Sequence, residues 1–191
     1  MSAGVRSEDL GIAGLRLLIP VVHRDARGFF FESYSRRSLA SIGIEAEFVQ
    51  DNHSRSTARG VIRGLHFQIP PHQQDKLVHV VRGAILDVAV DLRKGSPTFA
   101  RHASVVLSAE NAGQIFVPAG FAHGFCTLEP DTDVIYKVTD YHAPDCDKGV
   151  AFDDPALGID WPVAPQAAIV SDRDRRHPRL AELPDYFIWR G

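Results

Sequence analysis

The chain has 191 residues, of which 45% are hydrophobic and 24% charged, with a net charge of −3 when its histidines are neutral. That length suits one buried core, so a single domain over 1–191 is expected, and the composition sets aside disordered and fibrous classes. A charge so close to zero argues against a nucleic-acid or anionic-membrane partner, and any anionic ligand must be met by a local group of cations.

The first segment, MSAGVRSEDLGIAGLRLLIPVV, holds an apolar run, but Glu8 and Asp9 precede it and Arg16 interrupts it, unlike a basic-then-apolar secretory leader. No stretch approaches the ~18 uninterrupted apolar residues of a membrane span. Cys126 and Cys146 have neither C-x-x-C spacing nor the density of a disulfide scaffold, and they read as thiols in a reducing compartment. The expected location is the cytoplasm.

Short segments with a period of two follow one another along the chain: 15–22, 28–33, 47–52, 61–68, 76–83, 84–92, 103–108, 113–118, 121–128 and 133–140. In 84–92, Ala84, Leu86, Val88, Val90 and Leu92 share one face while Asp87 and Asp91 lie on the other, which predicts a strand with one face on a core. Only 35–43 reads as a helix, with Ser35 as its cap and Gly43 as its stop. Pro70-Pro71, Lys94-Gly95-Ser96-Pro97 and Asn111-Ala112-Gly113 mark turns between the strands. Beyond residue 150 the repeated prolines predict short turns wrapping the core. Many short strands with few helices imply an all-β sandwich or barrel.

Two segments carry a spacing with chemical content. Gly60-x5-His66-x-Gln68, with Lys76-x6-Gly83 after it, resembles the first cupin motif, and Gly113-x4-Pro118-x-Gly120-x2-His123 resembles the second. Together they imply a cupin-type jelly roll of two antiparallel sheets with few short helices. In the motif's metal-binding form the Gln68 position is a histidine and the Lys76 position a glutamate. An ammonium there repels a divalent ion and two histidines make a poor ligand set, so no metal and no cofactor are expected. What remains is His66 as a neutral-pH base, with Lys76, Arg63 and His123 as cationic or polar groups suited to an oxyanion, a combination fit for proton abstraction beside a carbonyl. Strict alternation separates Arg63 from His66, so both enter one cavity only if Gly64 sits at a bulge. A binding protein without catalysis and a metal-dependent cupin are the competing readings of the same residues.

Nine blocks in consistent order, RGFFFES (27–33), FVQDNHS (48–54), VIRGLHFQ (61–68), KLVHVVRG (76–83), DVAVDLRKGSPTF (87–99), LSAEN (107–111), VPAGFAHGF (117–125), YKVTDYHAP (136–144) and DDPALGIDWP (153–162), resemble the dTDP-4-dehydrorhamnose 3,5-epimerase family. The resemblance implies a metal-free homodimer that exchanges N-terminal strands and acts on a dTDP-4-keto-6-deoxyhexose, inverting C3 and C5. It places His66 at the base position, Tyr136 at the acid, Asp174 as the partner of the base and Lys76 near the C4 oxygen. Nucleotide-sugar contacts map onto Arg27, Glu32, Gln50, Asp51, Asn52, Arg63 and His123. They extend to Asp147, where the family commonly has glutamate, and to Arg173, where it has lysine. Relatives that invert only C3 or only C5 form an alternative inside the family.

Overall fold

The computed structural model describes residues 4–190. In chain order the strands are β1 (Val5–Asp9), β2 (Arg16–Pro20), β3 (His23–Asp25), β4 (Gly28–Phe30), β5 (Gln50–Ser56), β6 (Ile62–Gln68), β7 (Lys76–Arg82) and β8 (Ala84–Asp91). There follow β9 (Arg93–Lys94), β10 (His102–Ser108), β11 (Gln114–Val117), β12 (Phe121–Thr127), β13 (Thr132–Val138), β14 (Asp147–Gly149) and β15 (Phe187–Ile188). The one α-helix among the described residues, α1 (Arg36–Ser41), begins where expected: Ser35 caps it by accepting a hydrogen bond from the Ser38 N–H, and Gly43 follows its end at φ +80°. No helix among the described residues is long and apolar enough to cross a membrane.

Two antiparallel sheets make the body, one of six strands in the order β1-β2-β11-β7-β13-β5 and one of five in the order β10-β8-β12-β6-β14. Their facing sides share a core of Val78, Val80, Ile115, Val117 and Val134 from the first and Ile85, Ala89, Leu107, Phe121 and Phe125 from the second. This is the jelly-roll sandwich, and alternation explains its core, since the strands that meet there turn every second, apolar residue inward.

Both sheets are also covered from outside. The tail after β14 lays Val150, Phe152, Leu157, Trp161, Ala168 and Phe187 over the outer face of the five-stranded sheet, against Leu65, Phe67, Val88 and Val90. Leu39 of α1, with Ile44 and Ala46, covers Leu18, Leu77 and Phe116 on the outer face of the other. Strand β8 departs from its expected half-exposed pattern: the tail covers its Val88 and Val90, while Asp87, on the inward face with Ile85 and Ala89, and Asp91 are fully buried. Each is satisfied, Asp87 by His123 and Asp91 by Arg93, Ser96 and Thr98. The tail is made of turns and two single-turn 3-10 helices, Asp174–Arg176 and Leu180–Glu182, and ends in β15, paired in parallel with β9.

Candidate active site

A cavity of about 640 Å³ opens between the sheets. Alternation decides what enters it. On β6, Leu65 and Phe67 turn outward under the tail, which leaves His66 and Gln68 facing in. On β5, Gln50, Asn52 and Ser54 face in; on β7, Lys76; on β12, His123; on β13, Tyr136.

Arg63 joins them through an irregularity. His123 pairs with His66 and Phe125 with Arg63, so three steps on β6 oppose two on β12, and the extra residue falls at Gly64-Leu65. The bulge at Gly64 demanded by the sequence is thus present. Gly64 has φ +132°, and a Cβ on it would lie 2.6 Å from the Gly124 Cα, so the two strands approach closely because both residues lack side chains.

The centre of the site is a pair of residues 108 positions apart. His66 Nε2 lies 2.8 Å from Asp174 Oδ1, and the Gly64 N–H donates to Asp174 Oδ2 at 3.1 Å. An ionised carboxylate only accepts, so Nε2 of His66 carries a proton and Nδ1 is the bare nitrogen. Burial alone would raise the Asp174 pKa. The imidazoles of His177 and His66 and the Gly64 N–H outweigh it and hold the carboxyl well below its usual range. Asp174 is therefore anionic throughout the neutral range, as an orienting partner must be.

Lys76 is only 9% exposed, and its Nζ donates to the His66 carbonyl at 3.3 Å. Burial lowers its pKa to about 8, opposed by the charges of Asp147 and Asp87. Tyr136 moves the other way: burial raises its phenol, Arg63 opposes that and Asp147 adds to it, so the hydroxyl keeps its proton. The ring nitrogen of His123 sits 2.9 Å from Asp87. Arg173 pairs with Asp147 at 2.7 Å at the cavity edge.

These residues do not make a metal site of the cupin kind. The Gln68 amide is spent on backbone, donating to the His72 and Tyr141 carbonyls and accepting from the Ala143 N–H. Lys76 brings a cation, and His123 is already engaged with Asp87. The donor set suits proton chemistry and oxyanion stabilisation instead.

Of the thirteen residues singled out in the sequence, the cavity brings together His66, Tyr136, Lys76, Asp174, Gln50, Asn52, Arg63, His123, Asp147 and Arg173. Three lie elsewhere in the chain. Asp51 falls between Gln50 and Asn52, hence on the opposite face of β5, where it pairs with Lys137 at 2.8 Å. Arg27, in the turn between β3 and β4, is ion-paired to Asp25, and Glu32 accepts from the Ser38 hydroxyl. The sequence reading missed Asp87 as a site residue, because alternation set it on the face opposite the apolar one. It also missed Gln74, Ser171 and His177, for which turn-rich segments offer no periodic signal.

Known proteins resemble this chain in both sequence and fold. The family model described as dTDP-4-dehydrorhamnose 3,5-epimerase matches residues 9–182. A protein of that name from Pseudomonas aeruginosa is 48% identical over 179 residues, 93% of this chain and 97% of its own. The crystal structure of the Bacillus anthracis epimerase with TDP and PPi bound superposes with a TM-score of 0.89 at 49% identity, over 92% of this chain and 99% of that one. The Legionella pneumophila enzyme in complex with dTDP-4-keto-L-rhamnose has a TM-score of 0.92 at 40% identity, over 98% and 100%. Sequence, cupin-type fold and relatives all converge, and the chain belongs to the dTDP-4-dehydrorhamnose 3,5-epimerase family.

Proposed function

We propose that this cavity epimerises dTDP-4-dehydro-6-deoxy-D-glucose at C3 and C5 to dTDP-4-dehydro-L-rhamnose, the isomerase step of dTDP-L-rhamnose biosynthesis, and that each inversion is one proton removed and one returned. The C4 ketone acidifies the hydrogens on both neighbouring carbons. His66 takes a proton at Nδ1 while Asp174 stabilises the imidazolium, and the electron pair moves onto the C4 oxygen as an enolate. Lys76 meets that negative charge, and Tyr136 returns a proton to the opposite face of the ring. The observation that carries the reading is His66, held by Asp174, lining the same cavity as Tyr136 and Lys76.

A positioned base contributes about 10²–10⁴-fold, and a preorganised oxyanion donor on the order of 10²–10³-fold. Neither alone reaches enzymatic rates, so His66 and Lys76 act together. Arg63 and Arg173 suit the diphosphate because a guanidinium binds two oxygens at once. Gln50, Asn52, His123 and Asp147 supply polar contacts to sugar and base.

The functional unit in this reading is a cytoplasmic homodimer. Strands β1 and β2 are built onto the chain's own β11, which leaves the β3–β4 hairpin to reach a partner. Phe29 and Phe30 on it are 59% and 71% exposed, an unusual state for phenylalanine, and Arg27 and Glu32 would travel with that arm.

The test is NMR of the purified protein with dTDP-4-dehydro-6-deoxy-D-glucose in deuterated water. Deuterium enters at C3 and C5 and both centres invert. His66→Ala abolishes exchange at both carbons, and Tyr136→Phe retains exchange but impairs inversion. Binding without exchange in the unaltered protein would make this a nucleotide-sugar-binding protein, and exchange at one carbon only would make it a mono-epimerase.

A further inference from the structure

His177 takes no part in the roles above, yet it touches the base. Its ring meets His66 edge to face, with centroids 5.5 Å apart and planes at 80°. Its side chain is 10% exposed, and its Nε2 is buried without a hydrogen-bond partner, 3.5 Å from Asp174 Oδ1. That oxygen is the one bonded by His66. The nitrogens of both imidazoles and the carboxylate oxygen lie within 4.8 Å of one another.

Space for this ring is made by a particular glycine. Gly149, on β14, pairs directly opposite His66. It is absent from the positive-φ residues, so its backbone would accept any L side chain. A Cβ there, however, would lie 2.3 Å from His177 Nε2 and 2.5 Å from the neighbouring ring carbons. The absence of a side chain at 149 serves the seating of His177.

We propose that His177 is a positioning residue for the catalytic base, acting through His66 and Asp174 rather than on substrate. One hydrogen bond from Nε2 to Asp174 fixes a single point of the His66 ring and leaves rotation about that contact. An aromatic edge against the ring removes the rotation and aims Nδ1 at the sugar. The carboxylate is steadied in the same way: Gly64 N–H holds Oδ2, while His66 and His177 flank Oδ1, so Asp174 cannot turn as His66 gains and loses charge. A base that works twice per turnover, once at each carbon, depends on returning to one orientation. The idea rests on the reaction proposed above.

The experiment compares His177→Ala and His177→Phe with the unaltered protein, reading kcat and KM separately and, in ligand-free protein, the His66 Nε2–H resonance by nitrogen-15-resolved NMR. The alanine variant loses wall and polar edge together, and its kcat falls on the order of ten-fold, the size typical of a residue that orients a functional histidine. Its KM stays unchanged and its His66 signal shifts and broadens. The phenylalanine variant keeps the wall and recovers much of the lost kcat. Wild-type kcat and an unmoved His66 signal in His177→Ala would overturn the proposal, as would a change confined to KM or a kcat loss explained by the unfolded fraction. If the unaltered protein turns over no substrate while the resonance still moves in His177→Ala, the proposed reaction fails and the positioning role stands.

Discussion

Lys76 shows how one buried charge sets a working range. Its pKa of about 8 lies below the ordinary lysine value because burial disfavours the ammonium. In the proposed reaction the enolate needs that ammonium, so activity is expected below pH 8 and lost as the pH rises through it. The expected pH profile of kcat/KM, which reports the free enzyme, has an alkaline limb near 8. Lys76→Arg, whose guanidinium does not titrate, removes that limb at some cost in rate, and a limb persisting in this variant would assign it to another group. Lys76→Ala lowers kcat on the order of 10²–10³-fold. The candidate base, its cationic companion and the arginine beside them were legible in VIRGLHFQ and KLVHVVRG from cupin-like spacing read together with residue chemistry. Asp174 and Tyr136 were not, since an aspartate in SDRDRRHP and a tyrosine in an apolar strand have ordinary uses, and only resemblance singled them out. Asp51 illustrates the opposite case: the family pattern includes it, but the side-chain period of a strand turns it away from its neighbours Gln50 and Asn52.

At the level of the strand, the decisive element is β6, where an extra residue at Gly64 brings Arg63 and His66 into one cavity. Gly64 and Gly124 meet across the ladder, and a Cβ on Gly124 would lie 2.7 Å from the Arg63 carbonyl oxygen. Gly64→Ala or Gly124→Ala is expected to destabilise the fold by about 1–3 kcal/mol or more, the usual cost of overpacking. Gly95 provides the control: it also has positive φ but open space around it, so Gly95→Ala costs only the backbone term of roughly 1–2 kcal/mol. Denaturant midpoints at constant slope measure all three, and equal losses at Gly64 and Gly95 would show that crowding at the bulge is unimportant. The bulge was readable because alternation failed at one identified residue. The double burial of β8 was not, because periodicity reports which residues share a face and says nothing about what later covers it. Its apolar face lies under the tail, while Asp87 turns inward with Ile85 and Ala89 against His123, and the loop around Ser96 and Thr98 encloses Asp91.

For the molecule as a whole, the proposed homodimer gives the hairpin of β3 and β4 a purpose outside the chain. Its phenylalanines bury little within the protomer, and a dimer contact would remove them from water. Phe30→Asp is expected to convert a species of twice the 21.0 kDa chain mass into one of that mass by sedimentation equilibrium. The unaltered protein sedimenting as a single chain would end the dimer proposal. The body of the sandwich was predictable from alternation and turn residues, whereas the course of the last forty or so residues was not, since Pro-rich turns have no period to read.

That closing segment crosses the outer face of the five-stranded sheet, bridges Val61 at Ile169 and delivers Asp174 to His66, a third of the way along the chain. In the proposed reaction one stretch of chain thus serves twice, as a cover for Leu65 and Phe67 and as the source of the carboxylate beside the imidazole. Whatever loosens the cover also disarms the base.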